Sequence, residues 1–130
     1  MEEDRAGAIR ELIRRAQREF CDVRILLQDV SPVRARLKLR GRWRQYEIAI
    51  SEVILPQARI YSYYALKGGK VVVGFDNTAD NEVLRKVYGS DFGKHQYDLI
   101  PHKHGPEKQT CEITDEMTFD DFVNWLHNNL

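Results

Sequence analysis

The sequence predicts an α+β domain. It has a single antiparallel sheet of five to six strands, flanked by an N-terminal and a C-terminal helix, in one unit spanning residues 1–130. Three observations carry this. Apolar residues recur at helical spacing near both ends of the chain. Between those ends they alternate at period two, broken by Gly, Asp, Asn and Pro. The third is size and composition: 130 residues that are 42% apolar and 31% charged suffice for one core, leave little room for two, and are too apolar for disorder.

The first helix rests on Ile9, Leu12, Ile13, Ala16 and Phe20, whose i, i+3, i+4, i+7 spacing lines one face. Arg10, Arg14, Arg15 and Arg18 fall mostly elsewhere and read as a solvated face. A strand follows, with Val23, Ile25 and Leu27 alternating with Arg24, Leu26 and Gln28, and Asp29 to Pro32 as its turn. In the next strand Val33, Ala35, Leu37 and Leu39 alternate strictly with Arg34, Arg36, Lys38 and Arg40. Gly41-Arg42 predicts a two-residue turn that would pair Arg40 with Trp43, Leu37 with Tyr46 and Arg36 with Glu47. The apolar set, with Tyr46, Ile48 and Ile50, then shares one face, and the basic stripe the other.

A second hairpin turns at Gly68-Gly69, pairing Lys67 with Lys70, Tyr64 with Val73, Tyr63 with Gly74 and Tyr61 with Asp76. Tyr64, Leu66, Val71 and Val73 are its expected core face. Tyr61, Tyr63, Gly74 and Asp76 share the other. Asn81 to Tyr88 reads as a short helix with Val83, Leu84 and Val87 inward, and Gly89 to Gly93 as a loop. Lys108 to Ile113 is the last strand. Thr118 caps the final helix, with Asp121 in the capping-box position, and Phe119, Phe122, Val123, Leu126 and Leu130 form its apolar face.

Several classes are excluded. No apolar run approaches the roughly 20 residues of a membrane span. The opening Met-Glu-Glu-Asp has the wrong charge for a secretory signal, and two cysteines do not make a disulfide framework, so the expected location is cytoplasmic. Phosphate-binding Gly loops, dinucleotide fingerprints, zinc-type Cys spacing and nucleophile elbows do not occur in the sequence. Net charge is zero but uneven: residues 1–44 hold 12 basic and 7 acidic groups, and residues 105–130 hold 1 and 6. Either the basic half attracts phosphate, or the two ends neutralise each other in space.

The chemistry-bearing residues are mainly histidines. His95, His102 and His104 fall within ten positions. In an extended segment His102 and His104 project to the same side, and Lys103 to the other. The pair can supply an acid and a base for phosphodiester cleavage. With Asp76 or His95 as a third ligand it can also hold a divalent metal. A structural role for each residue is the competing reading. Asp76-Asn77 is equally a turn, and Tyr61 and Tyr63 are equally sheet residues or, beside a basic stripe, a stacking surface for a base.

The order Tyr61-x-Tyr63, a Gly-containing hairpin, Phe75-Asp76-Asn77 and then Pro101-His102-Lys103-His104 resembles the TumE-like toxin components of toxin–antitoxin pairs. The resemblance covers roughly residues 23–130. Gly74 stands where that family often has an arginine, and Thr78-Ala79-Asp80 where it often has Pro-His-His. The resemblance implies a toxin with a cognate antitoxin as partner. On the resemblance and the histidine cluster together, RNA is the expected substrate. His102, His104, Asp76 and His95 are then the catalytic candidates. Lys103, Arg34, Arg36, Lys38, Tyr61 and Tyr63 are the candidates for holding RNA. Alternatives are a non-enzymatic interaction module, self-associating or not, and a metal-binding module.

Overall fold

A computed structural model describes residues 2–130. The chain runs α1 (Glu2–Glu19), β1 (Cys21–Val30), β2 (Ala35–Trp43), β3 (Tyr46–Ile54), β4 (Arg59–Lys67), β5 (Lys70–Asp76), α2 (Asn81–Tyr88), a 3-10 turn (Gly89–His95), β6 (His102–His104), a second 3-10 turn (Pro106–Lys108), β7 (Cys111–Ile113) and α3 (Phe119–Asn129). All seven strands form one sheet in sequence order, each antiparallel to the next. The sheet thus exceeds the expected strand count, because His102–His104 is itself a strand and the last strand shrinks to Cys111–Ile113. Among the described residues, no helix is long and apolar enough to cross a membrane.

Both terminal helices cover one face of the sheet. Ile9, Leu12, Ala16 and Phe20 meet Phe119, Phe122, Val123 and Leu126 over Leu37, Leu39, Ile48, Ile50, Tyr61, Tyr63 and Phe75. Thr118 and Asp121 form the expected capping box. The uneven charge resolves partly as neutralisation: Arg15 of α1 pairs with Asp120 of α3.

The first hairpin corrects the expected turn. Trp43 pairs with Tyr46, and the turn is Arg44-Gln45, with Arg44 at φ 56. Leu37 faces Glu52 rather than Tyr46, a slip of six positions. Six is even, so every side chain keeps its face. Gly41 is needed for another reason: a Cβ there would lie 3.0 Å from the Cβ of Phe20, where the chain leaves α1. Val33 leaves the predicted core face and is exposed in the bend before β2.

The second hairpin turns at Gly68-Gly69 as expected, but carries a bulge at Val72 of β5, opposite Ala65 and Leu66. Beyond it Tyr63 pairs with Phe75, Tyr64 with Gly74 and Ser62 with Asp76. One extra residue inverts the faces of β4 relative to the simple count. Tyr61 and Tyr63 are therefore core, and Tyr64 faces outward beside Asp76. Buried Glu52 accepts from the Tyr63 hydroxyl at 2.6 Å, and Arg59 donates to the same hydroxyl oxygen at 2.8 Å and pairs with Glu52 at 3.4 Å. Val87, expected inward in α2, is exposed, while Val83 and Leu84 are buried.

Asn77 fastens β5 to the start of β4. Its amide oxygen accepts from the Tyr61 N–H at 2.9 Å, and its amide nitrogen donates to the Arg59 carbonyl at 2.8 Å. Asn77→Ala leaves both groups unmet in a buried place, so it is expected to cost about 2–4 kcal/mol. Urea unfolding of both proteins reads this directly, and a change under about 0.5 kcal/mol would refute the assigned role.

Candidate functional site

The sheet register builds the site. One row across the uncovered face runs Lys38, Ser51, Ser62, Asp76, His102; the next runs Arg40, Ala49, Tyr64, Gly74, His104, Cys111. Paired residues share a face, so Asp76, His102, His104, Tyr64 and Cys111 come together although they span over a third of the chain. Asp76, His102 and His104 are 5%, 1% and 6% exposed.

Asp76 is the hub. Its Oδ1 accepts from the Thr78 N–H at 3.1 Å and the Thr78 hydroxyl at 2.9 Å, and lies 3.0 Å from His102 Nε2. Its Oδ2 accepts from the Tyr64 hydroxyl at 2.6 Å and is 3.7 Å from His104 Nε2. Gly74 makes the Tyr64 contact possible, because a Cβ there would collide with the Tyr64 ring. The site also takes in the two departures from the TumE-like pattern. Thr78 binds Asp76. Asp80 caps α2 through Oδ1 and places Oδ2 4.0 Å from His104 Nε2.

The two histidines differ. Nδ1 of His102 is 2.7 Å from the Ile100 carbonyl, while Nε2 faces the Asp76 carboxylate. Both ring nitrogens meet acceptors, which suits an imidazolium. Burial alone would lower the pKa of His102, but the Asp76 hydrogen bond, the Ile100 carbonyl and the carboxylate charge raise it. For His104, burial lowers the pKa, opposed by Asp76 and reinforced by the positive His102 and Lys108. Its Nδ1 is buried without a hydrogen-bond partner. For Asp76, burial would raise the pKa, yet hydrogen bonds from His102, Tyr64 and Thr78 bring it down to about 2.

Cys111 is the residue that sequence reasoning missed as a ligand. It pairs with His104 across β6 and β7, and its Sγ and one ring nitrogen each of His102 and His104 all lie within 4.8 Å of one another. That group can hold a metal ion. Burial raises the thiol pKa, as do Asp80 and Glu82 nearby. Tyr64 was missed because of the bulge; the glycine opposite an aromatic on a central strand was its available signal.

Other expected residues lie elsewhere. His95 stacks on Tyr88 at 3.6 Å and bonds Asp98 at 3.1 Å, at the end of the first 3-10 turn, forming a cluster of its own. Lys103 points to the helix-covered face, 5.1 Å above the Trp125 ring. Lys108 instead is the lysine beside the histidines, 5.0 Å over the Tyr64 ring. Tyr61 and Tyr63 are buried and present no stacking surface. Arg36 pairs with Asp29, and Arg40 with Glu47. Arg34 is exposed at the bend before β2, and Lys38 is exposed on the uncovered face. No protein-family model, curated protein or solved structure matches the chain.

Asp76→Asn would strand His102 without its carboxylate, and should destabilise the fold by about 3–5 kcal/mol. The stabilisation from Asp76 is present above its unfolded value of 3.8 and is lost as pH falls toward about 2. That from His102 is complete below 6.5 and is lost as pH rises through its raised folded value. Histidine NMR titration should place His102 above and His104 below 6.5. The reverse order would overturn the assigned charge states.

Proposed function

We propose that the protein is the toxin component of a toxin–antitoxin pair, and that it acts on RNA with Asp76, His102 and His104 as its chemical centre. One observation carries the reading. The segments that resemble the TumE-like toxins, Asp76-Asn77 and His102-Lys103-His104, are 25 positions apart and lie on paired strands, with the carboxylate between the two imidazoles. RNA cleavage needs one group to take a proton from the attacking 2′-hydroxyl and another to protonate the leaving oxygen. In the metal-free protein, neutral His104 suits the first task and charged His102 the second, with Asp76 holding the charge. Lys108 at the rim takes the phosphate role that the sequence assigned to Lys103.

The approach to the centre supports the same substrate. Along one row, Ser51 and Ser62 separate exposed Lys38 from Asp76 and His102. Five strands at about 4.8 Å spacing span about 19 Å, the reach of a few nucleotides. Small residues leave room there, and exposed Lys38 meets phosphate at the far end. The cognate antitoxin is the protein partner on this reading.

The near-complete burial of both histidines favours a second reading. In it the cluster is a folding element, and the working surface is the edge strand β1. Leu26 is 60% exposed there, and Val33 just beyond it is 65% exposed. The function is then protein interaction without catalysis.

Tightly induced expression in a heterologous bacterium tests both. Wild type should arrest growth, and a His102→Ala, His104→Ala variant shown to be folded by circular dichroism should not. Purified wild type should cleave RNA, with the variant slower by about 10²–10⁴-fold. Equal growth with both proteins would overturn the toxin reading. Equal arrest with intact RNA would move the function to the β1 surface.

A further inference from the structure

We propose that the protein binds a zinc-class transition-metal ion between β6 and β7, with His102, His104 and Cys111 as ligands and a fourth position open. The inference stands on the cluster alone and is independent of the RNA reading.

Four features point to it. The donor types are right: two imidazoles and a thiol are among the ligands that zinc takes, and a sulfur donor disfavours magnesium or calcium. The spacing is close. Ligand atoms around tetrahedral zinc stand about 3.3–3.7 Å apart, and the three here lie within 4.8 Å before any ion draws them in. The orientation is prepared, since Nδ1 of His102 is engaged by the Ile100 carbonyl at 2.7 Å and Nε2 faces the centre. A backbone acceptor on the remote nitrogen is the usual partner of a metal-ligating histidine. Lastly, Nδ1 of His104 is a buried polar atom with no hydrogen-bond partner. Such atoms are rare, and an ion is one of the things that explain them.

Charge is consistent with burial. A divalent ion with one thiolate and two neutral imidazoles carries one positive charge, which the Asp76 carboxylate beside the imidazoles offsets. Mechanically, the ion would join the two short strands β6 and β7.

Cobalt(II) titration of tag-free, chelator-treated protein tests the proposal. One equivalent should bind, with tetrahedral visible bands and a thiolate-to-cobalt charge-transfer band that zinc then displaces. Cys111→Ser should abolish the charge-transfer band, and exposed Cys21→Ser should leave it intact. His104→Ala should weaken binding by more than the about 10–100-fold typical of losing a supporting contact. Zinc-edge X-ray absorption on the wild type needs no variant, and should show one sulfur at about 2.3 Å among nitrogen or oxygen neighbours at about 2.0–2.1 Å. Absence of stoichiometric uptake, a shell without sulfur, or loss of the band only in Cys21→Ser would overturn the inference. Metal uptake without toxicity or RNA cleavage would leave it standing and remove the RNA reading. Toxicity without uptake would do the opposite.

Discussion

The buried carboxylate of Asp76 is the constraint on which the site depends. A bare carboxylate in an apolar interior costs several kcal/mol, so it must be met on both oxygens. Thr78 and His102 meet one, and Tyr64 meets the other, with His104 alongside. These partners come from β4, the segment after β5, and β6. The demand of one charged group therefore ties the sheet centre to its thin C-terminal edge. Gly74 belongs to the same account, because the Tyr64 ring must cross its strand to reach Asp76. So does the short strand β6, whose two backbone partners in β5 beside the site are Asp76 and Gly74.

The sheet divides its labour by face. The side covered by α1 and α3 holds the main core, including the tyrosine pair and Phe75. The other side carries the basic residues of β2 at one end and the histidine cluster at the other, with Ala49, Ser51 and Ser62 between. Lys103 marks the divide: it lies between His102 and His104 in sequence and on the opposite face in space. The proposed RNA and metal readings draw on the same cluster and differ in whether protons or an ion supply its positive charge.

Local periodicity made most of the fold legible. The helical spacing of Ile9, Leu12, Ala16 and Phe20 and the Thr118 cap identified the two terminal helices. The strict alternation from Ala35 to Leu39 assigned faces correctly even though the first hairpin turns at Arg44-Gln45 instead of Gly41-Arg42. That robustness has a simple cause: an even slip preserves the side of every residue. The second hairpin shows the converse. Its turn was legible in Gly68-Gly69, but one bulged residue exchanged Tyr63 for Tyr64 beside the aspartate. A bulge is set by how the strand must bend over its neighbours, which no local count contains.

Within the site, the sequence by itself determined the fold class, both terminal helices, and the fact that His102 and His104 share a side that Lys103 does not. These are properties of a few consecutive residues and the two backbone periods. Tertiary structure alone decided that Asp76 stands between them, that Tyr64, Thr78 and Cys111 join, and that His95 stays apart with Tyr88 and Asp98. Those outcomes follow from the register of strands far apart in the chain, which is settled by packing one whole sheet face against two helices and by satisfying one buried charge.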